Sequence, residues 1–267
     1  MTAPARPRRL EPEQRERVWG SRKLEPWFPN PEIQVGEVWF REEHSPVLVK
    51  FLFTTENLSV QVHPDDLLAR QRGHPRGKTE MWHILQAAPD ARIALGFVHP
   101  VTEAAVRAAA VDGSIMGLLR WIPVVAGQTW FIPAGAVHAI GAGITLCEVQ
   151  QNSDVTYRLF DYGRNRGLHL EESLRAADLN YLPETIPRDR PRVVDCPYFQ
   201  VDRVFLRGEE ECAPVPGRER LVVACEGSGW IAGEPFRMGE VWKAPSGEPL
   251  RMSGSGELLS VAYPSGS

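Results

Sequence analysis

Residues 131–143, FIPAGAVHAIGAG, decide how this chain is read. They carry His138 at the end of a Pro-x-Gly-x-x-His turn between two apolar runs, and Gly135, Gly141 and Gly143 allow close backbone approach to a bound group. Upstream, LSVQVHPDD (58–66) sets Gln61 and His63 two residues apart, and GKTEMWHIL (77–85) supplies Glu80. Residues i and i+2 of a strand share one face, so Gln61 and His63 point into one cavity. With Glu80 and His138 they offer two imidazole nitrogens and two oxygens to one divalent ion. That donor set suits zinc and leaves a position for substrate. Glu80 strengthens the reading, because a carboxylate inside an apolar strand needs a partner. Gln61 is the weakest of the four, since an amide oxygen binds zinc poorly; a structural hydrogen bond is its alternative role.

Working outward, short runs of β-formers bounded by Gly and Pro recur at 47–54, 58–63, 81–86, 91–97, 129–132, 144–149 and 156–160. They return at 199–206, 220–225, 229–232, 240–244 and 258–263. Such a pattern predicts a mainly β protein of sandwich or barrel type. Helices are few: Thr102 caps TEAAVRAAAVDG with Gly113 behind it, and 65–70 and 170–177 predict shorter ones. Four prolines among many charges mark 183–197 as a linker between an N-terminal domain, 1–182, and a C-terminal domain, 198–267. The spacing G-x5-P-x-G-x2 occurs twice, as Gly127, Pro133, Gly135 ending on His138, and as Gly239, Pro245, Gly247 ending on Leu250. No histidine follows His169. The echo predicts two related barrels, the second degenerate and without a metal site.

Charged residues surround the cluster. Lys78 lies two before Glu80, so it shares the cavity face and could hold an anionic substrate. Glu148 and Gln150 alternate with Cys147 and Val149, which puts a polar face inside a barrel, either as a satisfied network or as a site. Arg158 is costly there unless paired with Glu148, Asp154 or a substrate oxyanion. His83, three residues on from Glu80, faces away from the cavity. His44, His74, His99 and His169 lie near Pro or Gly in loops and read as solvent-facing.

A net charge of −4 argues against nucleic acid as partner. No apolar stretch approaches the roughly 20 residues that span a bilayer. The charged N-terminus has no apolar core and is not a secretory signal. Cys147, Cys196, Cys212 and Cys225 form no CxxC and read as reduced thiols, so a cytoplasmic monomer or homodimer is expected.

Six pieces, RVWGSRKL (17–24), VGEVWF (35–40), LSVQVHPDD, GKTEMWHIL, FIPAGAVHAIGAG and EVQQNSDVTYRLFDYGR (148–164), are similar to motifs of the type I mannose-6-phosphate isomerases. These are zinc-dependent phosphomannose isomerases of the cupin superfamily, and the likeness is to the short bacterial form. It runs in family order over about two-thirds of the chain. The resemblance implies two cupin-type jelly-roll barrels, one zinc ion held by Gln61, His63, Glu80 and His138, Arg158 as the active-site arginine, and Lys78 and Glu148 lining the pocket of a sugar phosphate. His83 stands where short bacterial members commonly have tyrosine, and the 40–47 segment is brief. Both departures bear on substrate preference more than on reaction type.

The implied reaction interconverts mannose 6-phosphate and fructose 6-phosphate by moving a proton between C1 and C2 through a cis-enediol. Zinc would stabilise charge on the two oxygens. Glu148 is the expected base, with an ion-activated water as its competitor. Arg158 would stabilise developing charge or assist ring opening, and Lys78 would orient the substrate. Lys50 and Arg158 are the candidates for the phosphate. Two other readings stay open. Two histidines and a glutamate also suit a non-haem iron dioxygenase, although Gln61 then replaces a histidine; a non-catalytic sugar-binding cupin is the other.

Overall fold

The computed structural model describes residues 6–42, 44–164, 166–244 and 247–265, and they form antiparallel sheets with few helices. In the N-terminal region a pair of sheets face each other in a jelly-roll arrangement. One has six strands in the order Pro12–Ser21, Val35–Phe40, Val47–Phe53, Ile144–Gln151, Glu80–Ala87, Thr129–Ile132. The other has five, Tyr157–Phe160, Val60–Val62, His138–Ile140, Arg92–Phe97, Leu119–Pro123. The C-terminal region is a single seven-stranded sheet, Arg8–Arg9, Val241–Ala244, Arg218–Ile231, Leu250–Pro264, Gln200–Cys212, Arg192–Asp195, with Glu234–Arg237 beside Arg218–Ile231.

The six-stranded sheet is buried on both faces. Its outer face contributes Val49, Phe51, Met81, Cys147 and Val149 to one apolar cluster shared with Phe199, Val201, Leu221, Val223 and Leu259 of the C-terminal sheet. Its inner face contributes Leu52, Trp82, Ile84 and Leu146 to a second cluster, against Ile93, Leu95 and Ile140 of the five-stranded sheet. Every residue of VLVKFLF is therefore buried, and the strand reads as a continuous apolar run instead of an alternation. Lys50 is its one charge, a residue with no reason to be there unless the barrel interior is polar at that point.

Local chemistry explains the helices. Thr102 accepts a hydrogen bond from the Ala105 N–H ahead of Glu103–Asp112, and Gly113 ends that helix at φ 82°. Asp65 caps Asp66–Gln71 through the Leu68 N–H.

The sequence echo has a counterpart in backbone register. Gly127 and Gly239 have φ of 81° and 88°, and Gly135 and Gly247 of 91° and 79°. The Gly127 N–H donates to Ile84 O and the Gly239 N–H to Ala224 O. Four residues before each acceptor stand Glu80, paired with Ile132, and Arg220, paired with Ala244. Pro245 of the second copy lies outside the described residues.

Two expectations are revised. The strands expected at 220–225 and 229–232 are one, Arg218–Ile231. Gly227 and Gly229 face Gly256 and Gly254 across the ladder, and a Cβ on either would come within 1.9 Å of a carbonyl oxygen. These glycines let the paired backbones approach more closely than a side chain would allow, where the sequence pattern suggested a turn. The 183–197 stretch also holds an edge strand, Arg192–Asp195.

Candidate metal centre and its cavity

His138 opens its strand immediately after the Pro-x-Gly turn and pairs with Gln61, which pairs in turn with Arg158. Directly opposed residues of neighbouring strands project on the same face, so Arg158, Gln61 and His138 form one row. On the facing sheet Lys50, Glu148, Trp82 and Trp130 make a second row, with Gln150, Glu80 and Ile132 beside it. The barrel thus brings together all four expected ligands and the charged residues around them.

Glu80 is fully buried, with Oε1 3.5 Å from His138 Nε2 and Oε2 3.5 Å from His63 Nε2. His63, Glu80 and His138 offer donor atoms within 4.8 Å of one another. The far nitrogens are fixed by backbone: His63 Nδ1 lies 2.9 Å from Val155 O and His138 Nδ1 2.9 Å from Ala136 O. A carbonyl can only accept, so each Nδ1 carries the proton and each Nε2 turns a lone pair inward. Burial keeps both rings neutral. It holds His63 well below the usual histidine range and brings His138 down to about 4.

The Glu80 carboxylate is pushed up to about 7 by burial and by the nearby Glu148 charge, and its Oε1 accepts no hydrogen bond. Lys78 answers Glu80 Oε2 and the His63 lone pair, but Oε1 beside His138 Nε2 stays unanswered, and two imidazoles and a carboxylate this close together fit a divalent metal ion. Gln61 presents its amide to the same point, with Nε2 3.2 Å from His138 Nε2 and Oε1 taking the Ser59 hydroxyl at 3.3 Å. A half-turn of that amide would direct its oxygen inward. Trp82 packs edge-on against His138 at 5.4 Å between ring centroids.

Lys78 is buried and donates to Glu80 Oε2 and, at 2.9 Å, to His63 Nε2. Burial works against its charge, but Glu80 and Glu148 outweigh it and hold the ammonium above its ordinary range. A cavity of about 280 Å³ opens from here. Gln61, Lys50, Lys78 and Glu148 line it at the buried end, and Arg17, Arg158 and Arg166 line it further out.

Lys50 Nζ lies 3.1 Å from Glu148 Oε1 and 2.5 Å from Gln150 Oε1, over the Trp39 ring. Glu148 Oε2 accepts from Trp82 Nε1 at 3.0 Å. Burial would raise the Glu148 carboxyl, but Lys50 and Lys78 prevail and keep it ionised. Arg158 does not meet Glu148 or Asp154. Asp154 leans towards Arg41 at 3.8 Å, and among the described residues no carboxylate reaches ion-pair distance of Arg158. Its buried Nε has no hydrogen bond.

Sequence pattern missed three charged residues of the wall. Glu37 holds Arg17 at 2.5 Å, and a glutamate in the wholly buried strand VGEVWF carries the same signal that exposed Glu80. Arg17 and Arg166 give no such signal, because each reaches the cavity through tertiary folding. His169 is also corrected. It is half-buried: its N–H donates to Arg158 O at 2.8 Å, and its Nδ1 accepts the Arg158 N–H at 3.3 Å. His44, His74 and His99 are exposed. His83 faces away from the cavity, 2.9 Å from Thr129 Oγ1 and 3.0 Å from Glu257.

No family model matches the chain. Over 243 residues it is 34% identical to mannose-6-phosphate isomerase ManA of Bacillus subtilis, covering 80% of this chain and 76% of that protein. It is also 34% identical over 203 residues to the mannose-6-phosphate isomerase of Streptococcus mutans, covering 68% and 64% respectively. Among solved structures, the mannose 6-phosphate isomerase from Bacillus subtilis superimposes with a TM-score of 0.87 at 26% identity, over 96% of this chain and 99% of that one. A mannose 6-phosphate isomerase bound with zinc and yttrium shares the fold, with a TM-score of 0.75 at 15% identity over 98% of this chain and 100% of that one.

Proposed function

The chain belongs to the mannose-6-phosphate isomerase family, and from that premise we propose a zinc enzyme that interconverts mannose 6-phosphate and fructose 6-phosphate. Gln61, His63, Glu80 and His138 would hold the ion. One observation carries the assignment: two imidazoles, each with Nδ1 fixed by a backbone carbonyl, turn Nε2 to within 3.5 Å of one oxygen each of a buried carboxylate, and the oxygen facing His138 accepts no hydrogen bond. Two nitrogen and two oxygen donors suit zinc. When bound there, the ion supplies a Lewis acid for the C1 and C2 oxygens of the open sugar.

The chain's own residues then move the proton. Glu148 is ionised and lies on the cavity wall, so it takes the proton from one carbon and returns it to the other. Lys50 and Trp82 fix its two oxygens and set the direction of approach. Lys78 lies on the cavity wall, where its ammonium would orient a substrate oxygen. Arg158, in the His138 row and without a carboxylate partner, stabilises negative charge as it develops or assists ring opening. Residues 1–182 form the catalytic unit in this reading, and 198–267 a degenerate copy, with Arg220 standing where Glu80 would be.

Apart from zinc and substrate, no partner is invoked; among the described residues no helix is long and apolar enough to cross a membrane. A coupled assay with mannose 6-phosphate, before chelation, after it and after zinc is restored, tests the proposal. Turnover that persists after complete metal removal contradicts it.

A further inference from the structure

We propose that Arg17 and Arg166, together with Arg158, form the seat of the substrate's phosphate at the outer end of the cavity. This rests on the sugar-phosphate reading above and adds two residues that neither the motifs nor the catalytic proposal assigns.

Charge is the first argument. Arg17, Lys50, Lys78, Arg158 and Arg166 line the cavity against three carboxylates, Glu37, Glu148 and Asp154. Glu80 and Asp161, just behind the wall, answer Lys78 and Arg166, so what the cavity offers a phosphate monoester, which carries about −1.5 to −2 at neutral pH, is one guanidinium without an ion pair and the spare donors of its neighbours. Lys50 and Lys78 are spoken for by Glu148 and Glu80. At the outer end Arg17 has Glu37 and Arg166 has Asp161, whereas Arg158 has no carboxylate at ion-pair distance among the described residues and feels Asp161 only from further off. Arg158 feels the other two directly: after burial, Arg166 and Arg17 are what depress its basicity most. Guanidiniums gathered like this repel one another until an anion joins them.

Geometry is the second argument. Arg166 is brought beside Arg158 by a clamp in which His169 both donates to and accepts from the Arg158 backbone, holding residues 166–169 back against the strand. Asp161 binds Arg166 through Nε and Nη2, which fixes the plane of the guanidinium and leaves Nη1 for a ligand. Exposure orders the cavity. The side chains of Lys50, Lys78 and Glu148 are about one-twentieth exposed, and those of Arg17 and Arg166 about one-third. A dianion is cheaper to seat at the wetter end, and the metal cluster occupies the drier one.

The experiment uses the metal-loaded full chain and two readouts. Inorganic phosphate binding is measured by calorimetry, and KM and kcat for mannose 6-phosphate by a coupled assay. Arg166→Gln leaves Arg164 on Asp161, and Arg17→Lys keeps a cation on Glu37, so both variants should fold. Each loses a charge-assisted hydrogen bond, so phosphate affinity should weaken about tenfold and KM should rise about as much, with kcat changed far less. Arg166→Lys should recover some of the loss. Wild-type affinity for phosphate and an unchanged KM in both Arg166→Gln and Arg17→Lys overturn the inference while leaving the isomerase reading intact. Wild-type protein that binds phosphate through these arginines but does not turn over mannose 6-phosphate overturns the isomerase reading instead.

Discussion

Arg220 in the C-terminal sheet stands at the register position that Glu80 holds in the N-terminal barrel. Each lies four residues before the carbonyl that receives the N–H of the first glycine of its echo. Where one copy buries an anion, the other buries a cation whose Nη1 and Nη2 donate to Cys212 O and Ala213 O. Arg220→Met should leave two carbonyls unsatisfied and cost about 1–3 kcal/mol, with metal content and turnover unchanged. Denaturant unfolding beside zinc analysis checks this; loss of metal without loss of stability would contradict it.

The N-terminal barrel and the C-terminal sheet are tied by His83, Glu257 and Arg203. Burial opposes ionisation of Glu257, but hydrogen bonds from His83 and Arg203 bring its carboxyl down to about 2. Because the folded value is the lower one, the unfolded chain takes up the proton first as pH falls. The stabilisation is complete above about pH 4.5 and is lost between there and about pH 2. After screening at this half-open position it amounts to roughly 1–2 kcal/mol. Thermal melts of wild type and Glu257→Gln should differ at pH 6 and converge towards pH 3; a gap that widens on acidification would refute the linkage.

Arg158→Ala should lower kcat about 10²-fold, the scale for removing one donor from developing charge, while leaving the melting temperature near wild type. No ion pair of the described fold depends on that guanidinium. Steady-state kinetics beside a thermal melt separates this from misfolding. A variant with unchanged kcat would remove Arg158 from the chemistry.

Glu148→Gln keeps the shape of the carboxylate but removes its charge. Turnover should fall by at least about 10²-fold, and Lys50 should lose the nearer of its two ion-pair partners, keeping Glu37 at 3.7 Å. Wild-type kcat in this variant would leave the proton transfer to another group.

The cluster was legible because local signals marked it: Gln61 and His63 at strand spacing, Glu80 in an apolar run, and His138 after a glycine turn. The echo was legible as a spacing alone; that its four glycines all adopt positive φ is what the structure adds. What stayed hidden was long-range. Arg166 reaches the cavity only because His169 folds its loop onto Arg158, and nothing near either residue announces that contact. The bent strand Arg218–Ile231 was divided in two because glycines opposite glycines look, one strand at a time, like turns. The strand Pro12–Ser21 escaped because its inward positions over most of its length are the charged Glu13, Arg15 and Arg17, which leave no apolar alternation to read.

Metal stoichiometry measured alongside mannose 6-phosphate turnover in wild type, His138→Ala and Glu80→Gln reaches the heart of the matter. The wild-type chain should carry about one zinc ion, and both variants should remain folded while losing metal and activity together. A folded His138→Ala protein that isomerises mannose 6-phosphate at the wild-type rate would contradict a metal centre built from these four side chains.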